Sequence, residues 1–237
     1  MRSRGGVVTM PQLVFVHGWG CGPDIWESVL KVLDQPSACV LDLGYFGASQ
    51  SDTQQRLDAL LHGPQPVLVV GHSLGFLWLL SRGDWPKGSR FLGINAFGRF
   101  AAEDGFSQGV PPRMLARMQT GLQRDAAQVV NNFRARCGVG PVTPDALCVP
   151  ALQDGLTDLM TLDARPVLAR LAEEAGAVKV LAGELDPIVS PDMTKASFPP
   201  GVAIEWESEG GHMLPLTHPH VCAEAVRCMM SQNLENL

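Results

Sequence analysis

The chain has 237 residues, of which 46% are hydrophobic and 18% charged, and its formal net charge is -6. That length suits one α/β domain with a sizeable core and requires no internal boundary. The acidic balance argues against general nucleic-acid binding, which needs a basic face to neutralise phosphates. No apolar run approaches the roughly 18 residues of a membrane span, and Met1 to Met10 carry Arg2 and Arg4 without the apolar segment of a signal peptide. A cytoplasmic monomer is therefore expected, and Met10 could serve as its start. Cys21, Cys39, Cys137, Cys148, Cys222 and Cys228 show no C-x-x-C and no paired Cys/His spacing. They read as reduced, mostly buried small side chains, with no metal and no cofactor implied.

Gln12-Leu13-Val14-Phe15-Val16 is a short apolar run of the kind buried in a parallel sheet. A glycine-rich loop, His17-Gly18-Trp19-Gly20-Cys21-Gly22-Pro23, follows, and Asp24 is placed to cap a helix running towards Leu33. Ala38 to Leu43 makes the next strand, ahead of the turn Gly44-Tyr45-Phe46-Gly47. Ser51-Asp52 opens a helix ending near His62-Gly63, Val67 to Val70 is a strand, a helix reaches Arg82, and Arg90 to Asn95 is a further strand. This alternation predicts a mostly parallel, doubly wound sheet with right-handed crossovers.

From Arg99 to Thr161 the pattern is helical with no strand, and Pro111-Pro112, Gly138 to Pro141 and Pro144 mark corners. An all-helical insertion after the sixth strand position is where a cap over a catalytic edge would sit, within a single domain spanning 1–237. The alternation then resumes with a helix at Arg165 to Glu174, a strand at Val178 to Ala182, and a helix near Asp192 to Ser197. A strand at Val202 to Trp206 and a last helix over about His218 to Met230 complete it.

Gly71-His72-Ser73-Leu74-Gly75 stands between an apolar strand and a helix, the context a nucleophile elbow requires. A serine hydroxyl is a poor nucleophile at neutral pH and needs a base, which in turn needs an acid to fix its tautomer. In this arrangement the chain order is serine, acid, histidine. His212, in the loop Glu209-Gly210-Gly211-His212-Met213 after the last strand, is the expected base, with two glycines letting its ring swing over the sheet edge. Asp186, in Gly183-Glu184-Leu185-Asp186-Pro187-Ile188-Val189, is the expected acid, with Glu184 as local competitor and Asp163 as a more distant one. The oxyanion needs two pre-aimed backbone N–H groups; Leu74 and Trp19 are placed to supply them, and the Trp19 indole to wall the pocket. His17 reads as a loop-bonding residue, Asp42 with Gly44 and Gly47 as a turn former, and His62, His72, His218 and His220 as outside the relay.

Together these residues resemble the α/β-hydrolase superfamily from Gln12 to about Met230. The stretches His17 to Gly20, Asp42 to Ser49, Ser73-Leu74-Gly75, Ile94-Asn95-Ala96, Asn131-Asn132-Phe133 and Leu152 to Asp163 narrow the resemblance. They are similar to the pimeloyl-acyl-carrier-protein methyl ester esterases of biotin synthesis, which remove the methyl ester from a carrier-bound pimeloyl chain. The resemblance implies substrate contacts at Trp19, Ser73, Leu74, Phe133, Arg134, Ala135, Arg136, Cys137 and His212. Two departures stand out: the group often has Trp where this chain has His72, and Arg134-Ala135-Arg136-Cys137 is basic and ends without Gln.

The segment Arg99 to Gly140 holds six arginines (Arg99, Arg113, Arg117, Arg124, Arg134, Arg136) against Glu103, Asp104 and Asp125, so it is +3 while the remainder is -9. Such a patch could receive an acidic carrier protein, or could simply be a solvated helix face. A broader esterase or thioesterase, a hydrolase or lyase of the menaquinone-pathway type, and a non-catalytic ligand receptor of the same fold are the alternative readings.

Overall fold

A computed structural model describes residues 11–47 and 51–235; Met1 and Met10, together with Ala48 and Ser49 of the motif beginning at Asp42, lie outside them. The chain runs β1 (Gln12–Val16), α1 (Glu27–Leu33), β2 (Cys39–Leu41), α2 (Ser51–Leu61), β3 (Val67–His72), α3 (Leu74–Leu80) and β4 (Arg90–Ile94). An inserted helical segment follows, with α4 (Pro112–Arg124), α5 (Ala126–Arg136) and α6 (Val149–Thr161), and then α7 (Arg165–Leu171). The chain closes with β5 (Val178–Gly183), α8 (Pro191–Ser197), β6 (Ala203–Glu207), α9 (Leu214–Thr217) and α10 (Pro219–Glu235). The six strands form one sheet in the order β2-β1-β3-β4-β5-β6, every pairing parallel. The sheet is thus a doubly wound α/β-hydrolase sheet, and along this chain the insertion follows the fourth strand.

Alternate strand residues face opposite sides, and both sides are apolar. Leu13, Phe15, Leu68, Val70, Leu92, Ile94 and Leu181 point into one core with α1 and α10. Val14, Val16, Val67, Val69, Phe91, Val178 and Val180 point into the other with α3 and the insertion. This two-sided burial explains why the strands read as unbroken apolar runs, as parallel sheets require.

Two expectations are corrected. Asp24 does not cap α1; it lies in a short 3-10 turn, Pro23–Trp26, whose start has no side-chain cap. Residues 99–111 are not helical. Isolated bridges Ala101–Val110 and Glu103–Phe106 fold them into a loop, and a Cβ at Gly109 would lie 2.6 Å from the Ala102 nitrogen. The segment is pinned at its base by an Arg99–Asp163 bridge, by Ala164 N–H donating to Gly98 O at 2.8 Å, and by ion pairs joining Arg99 and Arg165 to Glu103 and Asp163. Gly211 has open space where a Cβ would be; Gly210 is the tight position, 2.7 Å from Leu214 Cδ2.

Two very close backbone approaches lie at the serine turn. A Cβ on Gly71 would fall 2.3 Å from the Phe76 Cα, and one on Gly75 would fall 2.5 Å from His17 O and 2.6 Å from Val16 O. Backbone cannot yield as a flexible side chain can, so Gly75→Ala should destabilise the fold by about 1–3 kcal/mol or more. Denaturant unfolding of the variant measures this.

Candidate active site

Ser73 ends β3 with φ 53° and ψ -124°, a left-handed conformation that L residues rarely adopt. Its N–H donates to Ile94 O at 3.0 Å, which continues the β3–β4 register one residue past the strand and holds the turn rigid. The residue is 5% exposed. Leu74 opens α3, so its amide is one of the first-turn N–H groups that a helix cannot satisfy internally.

Asp186 and His212 come from the loops after β5 and β6. His212 Nδ1–H donates to Asp186 Oδ2 at 2.8 Å, with both side chains buried. Asp186 Oδ1 accepts from the amides of Ile188 at 2.7 Å and Val189 at 2.9 Å, and Oδ2 also accepts from Asn95 Nδ2 at 2.9 Å. Burial alone would raise this carboxyl's pKa, but His212 and the two amides outweigh it and hold the group below the usual carboxylate range. The two loops meet backbone to backbone, Leu185 N–H donating to Gly210 O at 2.9 Å. Glu184 is exposed, and Asp163 sits in the ionic cluster at the base of the insertion.

The remaining histidines divide clearly. His17 is buried, its Nδ1–H donating to Gly18 O at 3.0 Å, while Nε2 faces Asp42 Oδ1 and the Leu43 amide, each at 3.0 Å. Asp42 Oδ1 also accepts from Gly44 N–H at 2.8 Å, and Gly44 and Gly47 have positive φ. His62 bonds Asp58 O on an exposed helix end, and His218 lies between α9 and α10. His72 is fully buried, and its Nε2–H donates to the His212 carbonyl at 2.8 Å.

Trp19 is buried, and its indole N–H donates to Leu152 O in α6 at 2.9 Å. Its ring packs edge-on to Phe133, with centroids 5.0 Å apart, and Phe133 in turn lies edge-on to His212 at 6.3 Å. Trp19 and Phe133 line an apolar cavity of about 250 Å³ with Phe100, Met114, Leu159 and Ile188, where Arg136 is the one charged residue. Phe133 and Arg136, three apart on α5, share the face turned to this cavity. Arg134 instead donates to Gly20 O and Gly140 O, Ala135 is exposed, and Cys137, past the helix end, packs against the core that contains Cys21. Ser73, Leu74 and His212 are not among the residues lining the cavity. A larger cleft of about 350 Å³, between α2 and α6, is polar and lined by Asp42, Arg82, Asp154 and Asp158.

Asn95 was not singled out as a site residue, yet it is buried beside the carboxylate. A signal existed, since it is a polar residue ending an otherwise apolar strand. Its partners, however, are 91 and 116 positions away, beyond any local pattern. Among the described residues no group of three or more His, Cys, Asp or Glu could hold a metal ion, and no helix is long and apolar enough to cross a membrane. The six cysteines form no disulfide with one another.

A model of the alpha/beta hydrolase family matches residues 13–225. The chain belongs to the α/β-hydrolase family. It is 30% identical over 142 residues to a pimeloyl-[acyl-carrier protein] methyl ester esterase of Vibrio vulnificus, covering 55% of this chain and 54% of that one. It is 27% identical over 188 residues to the protein of the same name from Shewanella sp. (strain MR-7), covering 69% and 70%. The aligned region thus spans about half the length of the Vibrio relative. In architecture this α/β hydrolase is similar to an esterase from Exiguobacterium antarcticum (TM-score 0.74, 15% identity, 93% of this chain and 92% of that one). A bromoperoxidase from Bacillus anthracis is similar too (TM-score 0.71, 19% identity, 94% and 92%).

Burial, followed by the neighbouring His212, pushes the His72 pKa from 6.5 down to about 3. Between those values the unfolded hydrolase binds a proton that the folded one refuses, so stability present above pH 6.5 is lost as pH falls. The slope from this group is about 1.4 kcal/mol per pH unit, and Asp186, with its lowered pKa, adds to the loss at more acid pH. Urea unfolding at several values between pH 7 and 4.5 should show the decline, and His72→Gln should flatten it.

Proposed function

We propose that this α/β hydrolase is a serine carboxylesterase using Ser73, His212 and Asp186. The observation that carries the reading is the buried Asp186–His212 pair at 2.8 Å, bonded through the His212 carbonyl to the residue immediately before a strained serine. His212 Nε2 accepts the Ser73 proton as Oγ attacks the ester carbonyl, and Asp186 stabilises the imidazolium. The amides of Leu74 and Trp19 meet the developing oxyanion. Collapse of the intermediate breaks the bond to the alkoxy group, which leaves as the alcohol with the proton from His212. Water, deprotonated by the same nitrogen, then hydrolyses the acyl-enzyme and releases the acid and the serine. Ser73→Ala should abolish hydrolysis of a p-nitrophenyl ester, and His212→Ala should do so with little added loss in the double variant. Asp186→Asn should lower kcat by about 10⁴-fold with the fold intact. Stopped-flow bursts of p-nitrophenol measure these effects and separate an enzyme from a hydrolase-fold receptor.

The finer reading is that the substrate is a carrier-bound methyl ester, pimeloyl-[acyl-carrier protein] methyl ester. Its support is the name shared by the Vibrio and Shewanella relatives, the apolar cavity beside Trp19 and Phe133, and the charge on the helical insertion, read here as a cap. Arg99 contributes nothing to that surface, being turned inward to Glu103 and Asp163. Arg113, Arg117 and Arg124 are exposed on α4 at spacings of four and seven, which place them on one helical stripe. Carrier proteins are strongly acidic, and such a stripe is the surface that would receive one.

Changing these three arginines together to Glu should raise KM for the carrier-bound ester at least about tenfold, and the weakening by salt that the unmodified reaction shows should flatten or reverse. Hydrolysis of a small p-nitrophenyl ester should stay near the unmodified value. Equal losses on both substrates would point to a destabilised cap, and no loss on either would return the substrate to a small free ester. Growth of a biotin auxotroph lacking the demethylating esterase, when supplied with this chain, tests the substrate directly.

A further inference from the structure

The backbone around His212 is held from two sides by buried side chains. His72 Nε2–H donates to the His212 carbonyl at 2.8 Å, and Asn95 Nδ2 donates to the Gly211 carbonyl at 3.2 Å. These carbonyls belong to the two rigid peptide planes that flank the His212 Cα, so together the bonds constrain both of its backbone dihedrals. Asn95 Nδ2 also bonds Asp186 Oδ2 at 2.9 Å, the same oxygen that accepts from His212 Nδ1 at 2.8 Å. The acid, the base's ring and the base's backbone therefore share one amide.

Packing does not account for this choice of residues. His72 and Asn95 are 0% and 1% exposed, and each leaves one polar atom, Nδ1 and Oδ1, with no partner among the described residues. A buried polar atom without a partner is destabilising, because it gives up its bonds to water and gains none. Asn95 also adopts φ 48°, a left-handed conformation that glycine takes freely and other residues seldom do. Apolar side chains at both positions would avoid the two orphaned atoms but would release the His212 loop.

We propose that His72 and Asn95 are positioning residues, a two-point clamp that sets the His212 imidazole against Ser73 and Asp186. His72 anchors the base to the turn that carries the nucleophile, and Asn95 anchors it to the loop that carries the acid. The proposal rests on the reading of Ser73, His212 and Asp186 as the hydrolytic set. Neither clamp residue touches the apolar cavity, so their loss should act on the chemical step and not on substrate binding.

Three substitutions in the full chain test the clamp. His72→Met removes the donor at similar volume, His72→Gln restores an N–H near the Nε2 position, and Asn95→Gly removes the amide while tolerating the left-handed backbone. Displacing a catalytic group by about 1 Å costs about 10²-fold, so His72→Met and Asn95→Gly should lower kcat on a p-nitrophenyl ester by about that factor. KM should stay within about twofold, and His72→Gln should recover to within about tenfold of the unmodified enzyme. Proton NMR gives a readout independent of turnover. The His212 Nδ1–H bonded to Asp186 should resonate far downfield in the unmodified protein and in His72→Gln, and be broadened or lost in His72→Met and Asn95→Gly. Unchanged kcat and an unchanged downfield proton in those two variants would overturn the clamp. So would equal losses in His72→Gln and His72→Met, or a loss of activity that merely follows the folded fraction measured by circular dichroism. If the unmodified protein hydrolyses no ester, the esterase reading fails and the downfield proton alone decides the clamp.

Discussion

Ser73 holds a backbone conformation that costs on the order of 1–3 kcal/mol, and the surrounding structure leaves it no relaxed alternative. Its amide is committed to β4, the preceding glycine is pressed against Phe76, and the following one against the backbone of β1. These contacts are main chain on main chain, so no side-chain rotation can loosen them. The sheet supplies the counterforce. Its central strands are buried on both faces, and the register β1-β3-β4 fixes the height at which the turn must break out of the plane. In this chain the turn stands on an all-parallel sheet with an apolar core on each face.

The same sheet edge carries two imidazole–carboxylate pairs, and comparing them shows what separates architecture from chemistry. His17 and Asp42 lie 3.0 Å apart, much as His212 and Asp186 lie 2.8 Å apart. In the first pair both ring nitrogens are engaged by the surrounding loop, and the carboxylate is part-exposed, shaping a turn through Gly44. In the second, the carboxylate is buried and saturated by Ile188, Val189 and Asn95, so its charge is directed at a single ring nitrogen. Residue type alone does not distinguish these pairs; the number of competing partners does.

That difference also explains what was legible in the sequence. The alternation of strands and helices, the serine turn and the glycines beside it could be read because demands between near neighbours leave a local mark, such as an apolar run ended by G-x-S-x-G. The loops bearing Asp186 and His212 could be located because each directly follows an apolar strand. The supports of those loops could not be read, because they are pairings across 116 and 140 positions, from Asn95 and His72. Arg99 was counted with a solvated cationic face because charge tallies ignore direction; its side chain folds back onto Asp163, 64 positions later.

The bond from the Trp19 indole to Leu152 O spans 133 positions and joins the loop after β1 to helix α6 of the insertion. Trp19 is buried there against Tyr45 and Phe133, so the bond lies away from solvent and resists exchange with water. Lifting α6 cannot leave that loop in place; it must either drag Trp19 along or strand its N–H in an apolar wall. The placing of α6 and the integrity of the loop after β1 are therefore one structural requirement and not two.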